Sequence, residues 1–323
     1  MPPTSPADAG APAAASGYRG RTVAITGAAG FIGAACRRRL VAAGATVHAV
    51  SRKPQPAEAS AHRWWELDLR EPGALDELVR TARPDVLFHL AGETSAARAL
   101  DLVRPTFTAN VVGTVNVLTS VAAQSPSTRV VTAGSLEEPS PGGGATASSP
   151  YALSKATATA YGLLFHELYE TRVVHLRVFM TYGPGQTAVG KLVPYVALAL
   201  LKGGPALLSS GRRLVDWIYV DDVASAFAAA GLAGAAADGR SFDVGSGQLV
   251  SVRAVAEEIA AIVGGGELRF GELADRPREE EPVAAPEPAT SVLGWRAETP
   301  LRDGLRRTVE WYRDYEESST LRA

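Results

Sequence analysis

From Thr22 onward, short apolar runs alternate with longer segments whose apolar positions recur at helical spacing. Val23-Ala24-Ile25 has no polar alternation, which predicts a strand buried on both faces. A glycine turn follows, then a helix from Phe31 to Ala43. The same rhythm predicts strands at Thr46–Val50, Trp64–Leu67, Val86–Leu90, Arg129–Ala133 and Val173–Arg177. It predicts further helices at Pro105–Ala123 and Tyr151–Tyr169. Strands alternating with long helices mean βαβ units, and right-handed crossovers then set helices on both faces of a parallel sheet. A Rossmann-type, doubly wound α/β domain is expected over residues 19–179.

After Met180 the rhythm breaks, and a helix at Lys191–Leu201 alternates with short strand candidates. This predicts a smaller mixed α/β domain over residues 180–323, concerned mainly with substrate, with segments near 215–247 returning to the first domain. Pro277–Ala289, rich in Glu and Pro, is read as a surface loop, or as one that closes over substrate. Residues 1–18 are rich in Ala, Pro, Ser and Gly and are expected to form a disordered tail, because they have little apolar bulk to pack.

Composition acts mainly by exclusion. A net charge of −2 gives no bulk attraction to nucleic acid or to a membrane surface. The single cysteine, Cys36, excludes an intramolecular disulfide and a cysteine-based metal cluster, and is read as a small buried apolar residue. No metal site is predicted. No stretch approaches the roughly 18–20 apolar residues of a membrane span. The N-terminus lacks the basic start and apolar run of a secretory signal, so a cytoplasmic location is expected.

The chemistry starts at Thr26–Gly33, between the first strand and the first helix. There Gly27 permits a tight turn, Gly30 lets backbone approach a pyrophosphate, and Gly33 lets helix and strand pack closely. Ala29, Phe31 and Ile32 complete a loop and helix N-terminus suited to phosphates. The second strand ends Ser51-Arg52 without the carboxylate that would hold the 2′-hydroxyl of NAD. Arg52 pairing with a 2′-phosphate and Ser51 hydrogen-bonding it favour NADP, with NAD as the other choice and a solvated basic turn as the plain alternative. Asp68-Leu69 is placed near adenine, and Leu90-Ala91-Gly92 leaves room for the cofactor. His89 is read as a packed histidine rather than a base.

Tyr151 and Lys155 stand at i and i+4 of a helix and so share a face. An ammonium nearby favours the phenolate, which makes the pair a proton donor and acceptor beside a carbonyl or alcohol. Ser135 ends a strand where ligands sit in such sheets and is placed to bind the reacting oxygen. Glu137 and Glu138 are read either as acid and base groups or as solvated loop carboxylates.

Taken together, TGAAGFIG (Thr26–Gly33), HLAG (His89–Gly92), NVVGTVNVL (Asn110–Leu118) and SPYALSK (Ser149–Lys155) resemble the extended short-chain dehydrogenase/reductases. RVFMTYGPGQ (Arg177–Gln186), DWIYVDDVASAF (Asp216–Phe227) and the FDVGSG turn (Phe242–Gly247) extend the resemblance to the nucleotide-sugar epimerase/dehydratase/4-ketoreductase group. It implies that Tyr151 exchanges a proton with a sugar hydroxyl, usually at C4, that Lys155 also binds the nicotinamide ribose, and that Asn110 joins the cofactor site. It further implies a nucleotide-diphosphate sugar held by the smaller domain, with Met180, Lys191, Arg213 and Arg276 as the substrate set. Met180 stands where the group usually has Asn, and Val215 where it has a diphosphate arginine that Arg213 replaces. In GSLEE either Ser135 or Leu136 takes the expected Ser/Thr position, the segment is nearest to the GSSEEYG-like one of sugar 4-ketoreductases, and the dehydratase Thr-Asp-Glu triplet is not present as such. A 4-ketoreductase using NADPH is the expected activity. A 4-epimerase or 4,6-dehydratase recycling NAD is the alternative, and a catalytically inactive dinucleotide sensor the second. A homodimer through helices around Pro105–Ala123 and Tyr151–Tyr169 is implied as well.

Overall fold

Val23 and Ile25 of β1 (Thr22–Thr26) point into one apolar core, and Ala24 between them points into another. This double-sided burial is what an unbroken apolar strand predicts. The computed structural model describes residues 17–56, 61–139, 147–275 and 280–320. After β1 come α1 (Phe31–Ala42), β2 (Thr46–Ser51), β3 (Arg63–Glu66), α2 (Asp76–Ala82), β4 (Val86–His89) and α3 (Val103–Phe107). A π-helical turn (Thr108–Val112) joins α3 to α4 (Gly113–Gln124), and β5 (Arg129–Ser135), α5 (Pro150–Tyr169) and β6 (Val173–Val178) follow. Then come β7 (Met180–Tyr182), α6 (Leu192–Leu201), β8 (Ala206–Leu208), β9 (Leu214–Tyr219), α7 (Val220–Leu232) and β10 (Arg240–Val244). The chain finishes with β11 (Leu249–Ser251), α8 (Val252–Val263), β12 (Leu268–Phe270), α9 (Glu287–Leu293) and α10 (Leu301–Thr320).

Seven strands form one parallel sheet in the order β10-β6-β5-β4-β1-β2-β3. Helices α1 and α7 cover one face, and α2, α4 and α5 the other. The sheet is therefore Rossmann-type and doubly wound. Its strand order reverses between β1 and β4, which opens a crevice at their carboxyl ends. Helix α7 and strand β10 return to this sheet from beyond residue 180, as β10 pairs with β6. The remaining elements build a third core, in which α6, α8 and α10 pack around β7, β9 and the β8–β12 pair.

Two expectations need correction. The fold begins before residue 19: Tyr18 is fully buried and its hydroxyl donates to the Ala228 carbonyl at 2.8 Å, so the tail boundary at 18 is too late. Residues 1–16 lie outside the described residues. The continuous helical run Leu100–Gln124 is long and apolar enough to cross a membrane by length and composition, contrary to the expectation that no stretch approaches this. It is half buried within the fold, however, and Val111, Val117, Leu118 and Val121 are core residues. The described part of the segment after Pro277 runs along the surface up to α9 and is hydrogen-bonded to the fold. Glu281 accepts from Leu214 N–H at 2.8 Å, and the Ala284 and Ala285 N–H groups donate to Asp216 and Asp243. Cys36 is buried in α1, as the sequence suggested.

Candidate active site

Gly27 turns the chain at φ +68°, and a Cβ there would lie 2.7 Å from the Ala91 nitrogen. A Cβ at Gly33 would lie 2.1 Å from the Gly27 carbonyl oxygen. Only glycine allows the β1–α1 loop and the backbone after β4 to approach this closely. Gly30, whose N–H donates to Gly27 O at 2.9 Å, caps α1 with backbone alone, and the first turn of α1 holds no acidic residue. The N–H groups of Phe31, Ile32 and Gly33 precede the first helical bond, from Ala34 to Gly30. With Ala29 in the same loop, they form a cradle with a positive dipole end and no competing side chain, which fits a pyrophosphate.

The flanks of the crevice are fixed by side chains. Leu90 N–H donates to Thr26 O and Ala91 N–H to Thr26 Oγ1, which leads Gly92 across the front of β1. His89 lies between Thr26 Oγ1 at 2.8 Å and Thr114 Oγ1 at 3.0 Å. Thr114 spends its own proton on Asn110 O, so His89 is the Nε2–H tautomer, accepting at Nδ1. Burial lowers its pKa to about 3, so it is a packed neutral histidine. Asn110 Oδ1 accepts from Glu93 N–H at 2.8 Å, and its Nδ2 donates to Glu93 O and to Ser154 Oγ. Its amide therefore ties the loop after β4 to α5.

Just beyond β3, Arg70 donates to both Asp68 oxygens and holds that carboxyl down at about 2. Leu69 is buried in the core and its carbonyl accepts from Asn116. Ser51 Oγ accepts from Lys53 N–H at 3.2 Å, and Arg52 is exposed.

Tyr151, Lys155 and Ser135 meet at the carboxyl end of β5. Ser149 caps α5 by accepting from Ala152 N–H at 3.1 Å, and Pro150 opens the helix. This start sets Tyr151 in the first turn, where its phenol faces Ser135, the last residue of β5. Burial pushes the Tyr151 phenol up to about 12; Ser135 pulls it down, and Glu137 and Glu138 push it up. One turn on, Lys155 Nζ donates to Ala133 O at 2.9 Å and stands 5.9 Å from the centre of the Tyr151 ring. Burial lowers its pKa, and Glu138 opposes that shift.

The two glutamates diverge. Glu137 N–H donates to Ser135 Oγ at 3.2 Å, and its carboxylate accepts from Ser149 Oγ at 3.4 Å, on the Tyr151 side. Glu138 is only 9% exposed and turns under the strand, where it accepts from Ser135 N–H at 2.7 Å. It is neither a solvated loop carboxylate nor open to the crevice. The i, i+3 turn that sends it inward leaves no mark in the sequence pattern.

The substrate set is more dispersed. Met180 starts β7 and packs on the third core, Lys191 is exposed at the N-cap of α6, and Arg213 immediately precedes β9, its carbonyl accepting from Val252 N–H at 2.9 Å. Arg276 lies outside the described residues. Sequence reasoning passed over Ser149 and Ser154, although a Ser-Pro pair ahead of an apolar helix is a start signal. It also passed over Asp216, a buried hub that accepts from the N–H groups of Ser246, Gly247 and Ala284. The motifs at Asp216–Phe227 and Phe242–Gly247 thus brace the joint between β9 and the end of β10 in the seven-stranded sheet.

Comparison with known proteins agrees with this arrangement. The profile of the NAD dependent epimerase/dehydratase family matches residues 23–245. A UDP-glucose 4-epimerase of Mycolicibacterium smegmatis is 31% identical over 320 residues, covering 90% of this chain and 98% of that protein. A probable dTDP-glucose 4,6-dehydratase of Sinorhizobium fredii is 28% identical, covering 90% and 92%. The solved structure of the Bordetella bronchiseptica enzyme WbmF in complex with NAD+ superposes with a TM-score of 0.79 at 25% identity, covering 95% and 96%. None of these supports a preference for NADP. The glycine cradle, the Ser135–Tyr151–Lys155 cluster and these relationships converge: this chain is an enzyme that belongs to the NAD dependent epimerase/dehydratase family.

Proposed function

We propose that the chain is an NAD-dependent nucleotide-sugar 4-epimerase. The observation that supports this most directly is the composition of the β5 end. Ser135 and Tyr151 face each other with Lys155 one turn on, Leu136 is apolar, and Glu138 is turned away. Elimination of water from a sugar needs an acid and a base in addition to the tyrosine, and among the described residues of this loop only Glu137 stands on the Tyr151 side. Inversion at one carbon needs only the pair. The M. smegmatis relative, named as a UDP-glucose 4-epimerase, points the same way.

Tyr151 takes the proton of the sugar hydroxyl and later returns it. Ser135 donates to the same oxygen and holds it in place. Lys155 keeps a positive charge near the phenolate as the proton leaves. The dinucleotide, bound at the Gly27–Gly33 cradle, supplies the acceptor and subsequent donor of hydride at the sugar carbon. Lys191 and Arg213 are assigned to the diphosphate, whose charge they complement. Incubating the purified chain with UDP-glucose and NAD tests this reading: the expected product is UDP-galactose with no net change in NADH. Net consumption of a reduced dinucleotide, or loss of water from the sugar, would overturn it.

One observation favours a second reading. No carboxylate stands at the end of β2, and Arg52 is exposed beside Ser51, which suits a 2′-phosphate and hence an NADPH-dependent 4-ketoreductase. A homodimer is also proposed. The apolar side chains of Leu100, Val103 and Phe107 are exposed, as are those of Leu153, Leu164 and Leu168 on α5, which packs against α3. A second copy covering both helices would bury them.

A further inference from the structure

Beneath Ser135 lies a closed polar network that the catalytic cluster does not use. Ser135 and Glu138 bond reciprocally: Ser135 N–H donates to Glu138 Oε1 at 2.7 Å, and Glu138 N–H donates to Ser135 O at 3.1 Å. Glu138 Oε2 faces Thr159 Oγ1 of α5 at 2.9 Å. Thr159 Oγ1 lies 2.9 Å from His175 Nε2, and His175 Nδ1 lies 2.8 Å from Thr132 Oγ1 on β5. His175 Nε2 also stands 3.4 Å from Glu138 Oε1. The side chains of His175 and Glu138 are 5% and 8% exposed, so the network is sealed from water. Gly134 makes room for it: a Cβ there would lie 2.1 Å from His175 Nε2 and 2.4 Å from Glu138 Oε1.

A carboxylate and an imidazole in the interior cost free energy unless every polar atom is matched, and here each has a partner. The network touches the two elements whose relative placement the cluster depends on. From β5 it takes Thr132 and the Ser135 backbone. From α5 it takes Thr159, two turns beyond Tyr151 and one beyond Lys155, whose carbonyl lies 3.0 Å from Thr159 Oγ1. We propose that Glu138 and His175 are positioning residues that lock the end of β5 to α5 and so hold Ser135 in place beside Tyr151. The charge of Glu138 also favours the ammonium form of Lys155, which agrees with such a place. A shift of about 1 Å between Ser135 and Tyr151 is enough to cost a large part of the rate while leaving substrate affinity nearly unchanged.

The proposal rests on Ser135 and Tyr151 being the acting pair of the 4-epimerase, so its test has an arm that needs no turnover. Full-length wild type, Glu138→Gln and Glu138→Ala are each loaded with NAD and assayed with UDP-glucose. Glu138→Gln keeps an oxygen for Ser135 N–H, and Glu138→Ala does not. The expected result for Glu138→Ala is a kcat at least about tenfold lower, with KM and the NAD Kd within about twofold of wild type, and recovery by Glu138→Gln to within about threefold. A kcat for Glu138→Ala within twofold of wild type would overturn the proposal, as would equal losses in both variants. If Glu138→Ala does not fold, Thr159→Val cuts the link from α5 at constant volume, and an unchanged kcat there overturns the proposal too. Crystal structures of wild type and variants form the other arm. The end of β5 at Ser135 is expected to shift by about 1 Å or more relative to Tyr151 in Glu138→Ala or Thr159→Val and to stay in Glu138→Gln; an unchanged Ser135–Tyr151 separation throughout overturns the proposal. Wild type inactive on UDP-glucose refutes the epimerase reading instead, and the crystallographic arm then decides the positioning role alone.

Discussion

Arg129, at the start of β5, reaches across the bottom of the sheet to Asp238, and the two side chains are 3% and 9% exposed. Arg129 Nε donates to Asp238 Oδ1 at 2.9 Å, and its Nη atoms donate to the carbonyls of Ala233 and Gly234 just past α7. One guanidinium thus joins the middle of the sheet to the end of the returning helix, where helix-dipole charge is negative. Arg129→Ala leaves Asp238 buried with only the half-exposed Arg172 as a partner. The expected loss is about 3–5 kcal/mol of stability, read as a lower denaturation midpoint at unchanged m-value. A loss under about 1 kcal/mol would show that the pair is not what holds α7 to β5.

Gly33→Ala tests the cradle. Its Cβ would meet the Gly27 carbonyl at 2.1 Å, so either α1 or the loop must move. Dinucleotide affinity is expected to fall by about tenfold or more, since the phosphate-facing N–H groups move with the helix. Calorimetry that finds wild-type affinity would mean that the cradle is not the phosphate site.

Tyr151→Phe removes the proton carrier and leaves the cradle intact. Turnover should drop by about 10²-fold or more while dinucleotide binding holds. Lys155→Ala should weaken both binding and turnover, because Nζ lies at the crevice and beside the phenol. Turnover of Tyr151→Phe within a few-fold of wild type would remove Tyr151 from the mechanism.

His89 gives stability a pH dependence. Its pKa is lowered from 6.5 to about 3 by burial, so the unfolded chain binds the proton more readily than the folded one. Its contribution to stability is therefore complete above about pH 6.5 and is lost as pH falls toward 3, at a slope of up to about 1.4 kcal/mol per pH unit. His89→Gln should flatten that part of the stability curve, and an unaltered slope would assign it to other groups.

Much of this was legible in the chain because the physics is local. Strands buried on both faces show as unbroken apolar runs, so β1, β4 and β6 were read directly, and the glycine spacing of the cradle follows from backbone contact. Helix α2 was missed because Asp76–Ala82 is short and mostly polar outside Leu78 and Val79. The NVVGTVNVL helix begins upstream of the expected Pro105, which is tolerated in the first turn of α3, and a π-helical turn around Asn110 joins its two parts. What could not be read are contacts set by tertiary placement, such as Glu138 turning under β5 and Asp216 collecting N–H groups from two distant loops.

The dimer prediction turns on exposed apolar side chains. Leu168 is 63% and Phe107 53% exposed on adjoining helices. Leu168→Arg should convert a dimer to a monomer in light scattering, since a charge buried in an apolar interface costs several kcal/mol. A wild-type mass equal to one chain would refute the dimer outright.

Cofactor choice depends on Arg52. Asp68 is engaged by Arg70, and Ser51 Oγ accepts from Lys53 N–H, so Arg52 stands exposed at the end of β2, next to the exposed Lys53. Under the epimerase reading, NAD is retained through purification and recycled within each turnover. Arg52→Ala should then leave NAD affinity within about twofold and weaken NADP by about tenfold, the worth of one charge-assisted hydrogen bond of about 1.5 kcal/mol. Added salt should weaken NADP before NAD, because an exposed charge pair is screened within about 8–10 Å. Titrating wild type and variant with both nucleotides at two ionic strengths measures all of these quantities. If wild type instead binds NADPH tenfold or more tightly than NADH, and Arg52→Ala abolishes the difference, the 2′-phosphate site is real. The ketoreductase reading then replaces the epimerase, because a reductase draws on a reduced cofactor that must arrive and leave at every turnover.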